Sequence, residues 1–176
     1  MATYTYLMEY LPTRYAATID QDCDRREVYS FKNGYASTNV KRRLAEKVSS
    51  ITGYNKSEYV VLFIPASSQS KTDDRYYNVA SYIQRETGVT ATLSGIIANG
   101  TRESACRGGN RWSDKTHDYT FNSDVFRGKK VILIDDVITS GNSLVNCERA
   151  LLGRGAKSVV GLFVAKTINP DRCNVA

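Results

Sequence analysis

Val131-Ile-Leu-Ile-Asp-Asp-Val-Ile-Thr-Ser-Gly-Asn-Ser143 sets four apolar residues directly against two adjacent aspartates, then two more apolar residues and a short hydroxyl-rich turn. An apolar run without alternation is the pattern of a strand buried on both faces, as in a parallel sheet. Asp135 and Asp136 fall at its carboxyl end, where open α/β sheets receive their ligands. The turn from Thr139 to Ser143 offers hydroxyls and backbone amides and opens the next helix, so it can cradle a phosphate. Carboxylates suit sugar hydroxyls and the cradle suits an anion, so a phosphorylated sugar answers both demands together. The plain alternative is a buried strand with an Asp-Asp end and a capped helix. Adjacent carboxylates repel, however, and are costly near a sheet end unless something cationic or hydroxylic uses them.

Outward from this stretch, strands alternate with helices. Ser37 to Thr52 reads as a helix with Val40, Leu44, Val48 and Ile51 on one face, a Ser-Thr pair at its start and Gly53 after its end. Tyr59 to Pro65 (YVVLFIP) is a continuous apolar run that stops abruptly, as a central parallel strand does. Thr72 to Thr87 is a second amphipathic helix, with Tyr76, Val79, Ala80 and Ile83 facing inward. Thr90 to Ile97 is a strand, and Asn99 to Asp124 a polar, basic loop. Lys130 to Ile134 is the strand of the opening motif, Leu144 to Leu152 a helix, and Ser158 to Ala165 the last strand. The alternation predicts an α/β fold with a doubly wound, mainly parallel sheet. The first 36 residues stand outside it. They hold six of the twelve tyrosines and read as an accessory layer or a dimer contact.

A chain of 176 residues suffices for one well-buried domain and is short for two. No run reaches the length of a membrane span, and MATYTYLMEY lacks the basic start and apolar core of a leader, so neither insertion nor secretion is expected. Cys23, Cys106, Cys147 and Cys173 form no CxxC pair, and His117 is the only histidine, which argues against structural zinc and against a disulfide framework. A reducing cytoplasm is the expected setting. The net charge of +6 suits binding of polyphosphates or of nucleic acid through a basic face. Lys41-Arg42-Arg43 lies on a helix, where a solvated face is the plain reading. Arg102, Arg107, Arg111 and Lys115 lie in the loop beside the motif.

The stretch VILIDDVITSGNS resembles the phosphoribosyl pyrophosphate (PRPP) signature of type I phosphoribosyltransferases. That resemblance implies that Asp135 and Asp136 hold the ribose 2′- and 3′-hydroxyls and that Thr139, Ser140, Gly141, Asn142 and Ser143 wrap the 5′-phosphate. It implies Mg²⁺ with PRPP as co-substrate, the ion riding on substrate oxygens beside Asp135 and Asp136. Ile64 to Asp74 (IPASSQSKTDD) then takes the place of the pyrophosphate loop, with Ala66, Ser67, Ser68, Gln69 and Ser70 giving amides and hydroxyls and Lys71 adding positive potential. The plain alternative there is a strand-to-helix turn capped by Thr72 or Asp73. Asp73 and Asp74 carry the wrong sign for pyrophosphate and are expected to point away. Asn99 to Asp124 takes the place of the mobile catalytic loop, in which Arg107 and Arg111, with Arg102, Lys115, Trp112 and His117, would shield the leaving pyrophosphate.

FKNG at Phe31 to Gly34, R-x-x-N at Arg75 and Asn78, the signature and ALLGRGAKSVVGLFVAKT follow the order of the ComF-type branch, over roughly the last four-fifths of the chain. The cysteine-rich zinc ribbon that commonly precedes that branch is missing, since Cys23 alone lies in the first hundred residues. The resemblance divides the chain into residues 1–36, a small N-terminal hood, and residues 37–176, the phosphoribosyltransferase-like core; homodimers are common in such families. It leaves two functions open. One is transfer of 5-phosphoribosyl from PRPP to a nitrogenous acceptor with release of pyrophosphate. The other is a non-catalytic PRPP- or nucleotide-binding protein, regulatory or associated with DNA uptake or defence. Hypoxanthine-guanine enzymes carry an aspartate three residues after the second acid as general base. Thr139 stands there instead and cannot serve near neutral pH, which disfavours a 6-oxopurine acceptor. Lys166, just after the last strand, either reaches an exocyclic oxygen of a base or is a surface lysine.

Overall fold

A computed structural model of the protein describes residues 2–100 and 118–169. Its centre is a five-stranded, wholly parallel sheet. In chain order the strands and helices are β1 (Tyr4–Tyr10), α1 (Ile19–Lys32), α2 (Thr38–Thr52), β2 (Tyr59–Phe63), α3 (Gln69–Thr87), β3 (Thr90–Ala91), β4 (Ile96–Ala98), β5 (Tyr119–Phe121), α4 (Ser123–Phe126), β6 (Lys130–Ile138), α5 (Asn142–Leu152) and β7 (Ser158–Thr167). The main sheet runs β1-β7-β6-β2-β3, and β4 and β5 form a separate antiparallel ribbon. The central position of β6 follows from its sequence. Val131 to Ile134 are buried on both faces, and only a strand flanked on each edge and covered on each side can use four consecutive apolar residues.

The pleat divides those four residues between two cores. Ile132 and Ile134 join Val61, Phe63, Leu162 and Val164 under α1, α2 and α3, which supply Val28, Phe31, Val40, Leu44, Val48, Tyr76, Val79 and Ile83. Val131 and Leu133 join Val60, Leu62, Val159 and Phe163 under α4 and α5, which supply Phe126, Leu144, Cys147 and Leu151. Helices therefore cover both faces, and the sheet is doubly wound. Burying each of these side chains contributes on the order of 2 kcal/mol.

Several elements differ from the sequence expectation. The first 36 residues do not stand apart from the alternation. β1 pairs in parallel with β7 along its length, from Tyr4 beside Gly161 to Tyr10 beside Thr167. Val28 and Phe31 of α1 are buried in the same core as α2 and α3, so residue 36 marks no break in packing. The segment escaped the pattern because β1 is an edge strand rich in half-exposed tyrosines, and α1 is mostly polar with two buried residues. α3 begins at Gln69, not Thr72: Ser68 is its N-cap, its hydroxyl accepting the Lys71 N–H at 3.3 Å. Thr72 instead turns inward, accepting the Ala66 N–H at 2.9 Å and donating to the Ser68 carbonyl at 2.8 Å. The expected strand from Thr90 to Ile97 divides into β3 and β4, and the expected loop from Asn99 to Asp124 carries β5 and the start of α4 at its far end.

Candidate functional site

Asp135 and Asp136 lie within β6 rather than beyond it, since the ladder to β7 continues through Val137 and Ile138. Both acids are half-buried at the carboxyl end of the strand. α3 holds each of them. The Tyr76 hydroxyl donates to Asp135 Oδ1 at 3.0 Å, and Arg75 Nη1 donates to Asp136 Oδ2 at 2.7 Å. The backbone completes the pair, with the Asp136 N–H on Asp135 Oδ1 at 2.8 Å and the Val137 N–H on Asp136 Oδ1 at 2.6 Å. Arg75 and Asp136 are only 16% and 15% exposed, which makes theirs a shielded ion pair rather than a surface one.

The two carboxylates share one small volume. Burial, and next the neighbouring charge of Asp136, push the Asp135 carboxyl up to about 7, against the downward pull of the Asp136 N–H, Arg75 and Tyr76. Tyr76 is wholly buried between Phe31, in an edge contact with ring centroids 5.9 Å apart, and Phe63, at 4.8 Å. Burial, with the charges of Asp135 and Asp136, raises its hydroxyl well above the ordinary tyrosine value, so it stays a proton donor.

Beyond β6 the chain turns at Thr139–Gly141 into α5. Gly141 takes φ 79°, a left-handed conformation that costs glycine little, and stands at the helix N-cap. Ser140, Asn142 and Ser143 are exposed there. The Thr139 hydroxyl lies 2.9 Å from that of Thr167 at the end of β7. Across the sheet, Ala66 to Ser68 connect β2 to α3, while Gln69, Ser70 and Lys71 form the first helical turn. The segment therefore ends in a helix N-terminus, where Thr72 Oγ1 takes the Ala66 amide and Ser68 Oγ the Lys71 amide. Asp73 and Asp74 are exposed, and Asp73 Oδ1 accepts from Gln69 Nε2 at 2.7 Å. The structure thus brings the acid pair, the Thr139–Ser143 turn and the Ala66–Lys71 segment to one edge of the sheet.

The β4–β5 ribbon joins that edge. The Ala98 N–H donates to Gln69 Oε1 at 3.1 Å, and the Tyr119 hydroxyl to the Pro65 carbonyl at 3.5 Å. Arg102, Arg107, Arg111, Trp112, Lys115 and His117 lie outside the described residues. Among the described residues no cluster of three or more histidine, cysteine, aspartate or glutamate side chains is placed to hold a metal. A hard divalent cation at Asp135 and Asp136 would take most of its oxygens from a bound molecule and water.

Two residues that single-sequence reading left without a role are central to the geometry. Tyr76 was legible only as an inward-facing helical residue, and Arg75 only as part of R-x-x-N. Asn78 of that motif is exposed. Lys166 lies 5.8 and 5.6 Å from the ring centroids of Tyr4 and Tyr6 on β1. The Lys41–Arg43 cluster is engaged within the fold: Lys41 over the Tyr82 ring, Arg42 with Glu46 and Arg43 with the Leu7 carbonyl.

The chain is similar to several known proteins. The ribose-phosphate pyrophosphokinase of Methanobrevibacter smithii is 48% identical over 42 residues, which are 24% of this chain and only 14% of that protein. A hypoxanthine-guanine phosphoribosyltransferase from Bacillus anthracis is 18% identical, with 82% of this chain and 70% of that chain covered at a TM-score of 0.44. Phosphoribosylpyrophosphate synthetase from Mycobacterium smegmatis is also 18% identical, with 70% and 33% covered at a TM-score of 0.42. The family model described as phosphoribosyl transferase domain matches residues 75–167, more than half of the chain and the whole stretch from Arg75 through the acid pair to the end of β7. The chain belongs to the phosphoribosyl transferase domain family.

Proposed function

We propose that the protein transfers the 5-phosphoribosyl group of PRPP to a nitrogen nucleophile and releases pyrophosphate. The observation that carries this reading is the convergence of the acid pair on β6 with a hydroxyl-lined helix entry on either side. The acids bind the ribose hydroxyls, Thr139 to Ser143 the 5′-phosphate, and Ala66 to Lys71 the pyrophosphate. In the reaction the bond from C1′ to the diphosphate oxygen breaks, the bond from C1′ to nitrogen forms, and the nitrogen loses its proton. C1′ becomes cation-like on the way, so negative charge at the acid pair favours the transition state. Mg²⁺ brought with PRPP supplies charge neutralisation for the departing diphosphate. Arg107 and Arg111 are proposed to cover that group, and a place in the ComF-type branch rests on the order of FKNG, R-x-x-N and signature.

Thermal unfolding with and without Mg²⁺-PRPP tests the donor side, because a ligand bound only by the folded state raises the midpoint. We expect a rise of several degrees, abolished in Asp135→Asn with Asp136→Asn. Absence of any rise in the parent protein sinks the reading. Pyrophosphate release, screened over nucleobases and amines, then identifies the acceptor.

One observation favours a second reading, binding of PRPP or a nucleotide without transfer. The acids are already satisfied by Arg75, Tyr76 and two backbone amides, and Thr139 stands where a proton acceptor for a purine would be. Stabilisation by PRPP with no pyrophosphate from any acceptor decides for this sensor. A salt-dependent retardation of DNA would add nucleic acid to its ligands.

A further inference from the structure

FKNG and Arg75 meet in space. Phe31 packs edge-on against the Tyr76 ring, the Lys32 carbonyl accepts Arg75 Nε–H at 3.1 Å, and Gly34 passes against Asp74. At Gly34 a Cβ would lie 2.7 Å from the Asp74 carbonyl oxygen, and its φ is +87°, so the approach and the turn both require glycine. The last two residues of α1 and one residue of the turn after it therefore touch three consecutive residues of α3. Two of those, Arg75 and Tyr76, grip Asp136 and Asp135 from the other side.

We infer that the Phe31–Gly34 turn and the Arg75–Tyr76 pair are one clamp on the acids, and that Arg75 and Tyr76 are positioning residues that make the site select a pentose phosphate bearing both vicinal hydroxyls. Neither side chain need touch the sugar. A carboxylate free to rotate can hydrogen-bond one hydroxyl or water about equally well. A carboxylate held at one oxygen by a fixed donor presents its remaining lone pairs in one direction. Two such carboxylates on adjacent residues, joined by the Asp136 N–H to Asp135 Oδ1, present a fixed pair of acceptors that a sugar lacking one hydroxyl leaves half unused. Selection against the missing hydroxyl then depends on the rigidity of the acids. The clamp also ties the acids to the helix whose N-terminus forms the Ala66–Lys71 segment, so both ends of the site share α3.

This inference rests on the pentose-phosphate reading of the acid pair, and titration calorimetry can separate the two. The ligands are ribose 5-phosphate and 2-deoxyribose 5-phosphate, each with Mg²⁺; the proteins are the parent, Tyr76→Phe, Arg75→Lys, Arg75→Gln and Gly34→Ala. We expect the parent to prefer the ribo sugar. Tyr76→Phe keeps the buried ring and loses one charge-assisted hydrogen bond, and the ribo/deoxy ratio should fall about tenfold. Arg75→Gln and Gly34→Ala should lower it as well, with Arg75→Lys retaining part of the preference. General loosening of the fold would weaken both sugars alike, because they share the phosphate, and would leave the ratio unmoved. An unchanged ratio in Tyr76→Phe and Arg75→Gln overturns the clamp while leaving the reading of the site intact. A parent protein that binds neither sugar overturns both.

Discussion

Asp135 and Asp136 are neighbours with unequal electrostatic positions. Asp136 has a guanidinium at 2.7 Å, whereas Asp135 has a neutral hydroxyl and an amide, and its carboxyl is raised from 3.8 to about 7. Between those values the folded protein holds a proton that the unfolded chain has released. The stabilising contribution is therefore complete below about 3.8 and is lost as pH rises through about 7. Asp135→Asn abolishes that dependence. In urea titrations of the unliganded protein, the variant should gain stability relative to the parent as pH is raised from about 5 to about 8, and a pH-independent difference would contradict the assignment. The acid pair was legible in the sequence because two adjacent aspartates directly after four apolar residues are conspicuous at the end of a buried strand. Its partners were not legible: nothing in a chain of letters says that Arg75 and Tyr76, on another element, are turned toward β6. Asp136 is tied to Arg75 in a shielded ion pair. The pair holds that carboxylate in one orientation, which the proposed clamp requires.

At the scale of the element, α3 connects the parts of the site. Its N-cap, Ser68, satisfies an amide of the turn proposed to meet pyrophosphate, so Ser68→Ala should lower stability by about 1 kcal/mol. β7 and α5 approach closely at Gly161, where a Cβ would lie 2.7 Å from a ring carbon of Phe163 and 3.0 Å from a methyl of Leu144. Gly161→Ala should cost about 1–3 kcal/mol by overpacking, read as a lower urea midpoint with an unchanged slope. The helices over residues 37–52 and 72–87 were legible from apolar spacing: Val40, Leu44, Val48, Tyr76, Val79 and Ile83 are all buried. The start of α3 was read three residues late because Ser67, Ser68 and Ser70 all resemble caps, and only the hydrogen bond distinguishes Ser68. The short strands β3, β4 and β5 have two or three residues each, too few for any periodicity to register.

At the scale of the whole molecule, the parallel sheet was legible from the alternation of runs and helices, but its edge was not. β1 adds to the outer side of β7, and α1 brings Phe31 to the ring of Tyr76. A chain starting at residue 37 should lack a cooperative thermal transition, since it exposes the flank of β7 and opens a hole beside Tyr76; a sharp transition near that of the parent would show that the core folds without its first strand. The same arrangement has a consequence for communication across the protein. The Gly34 and Tyr35 amides are bonded to the Phe31 and Ser30 carbonyls in the turn that braces Arg75. A sugar gripping the acids should therefore slow hydrogen exchange at those two amides, far earlier in the chain, and make that remote bend a reporter of occupancy.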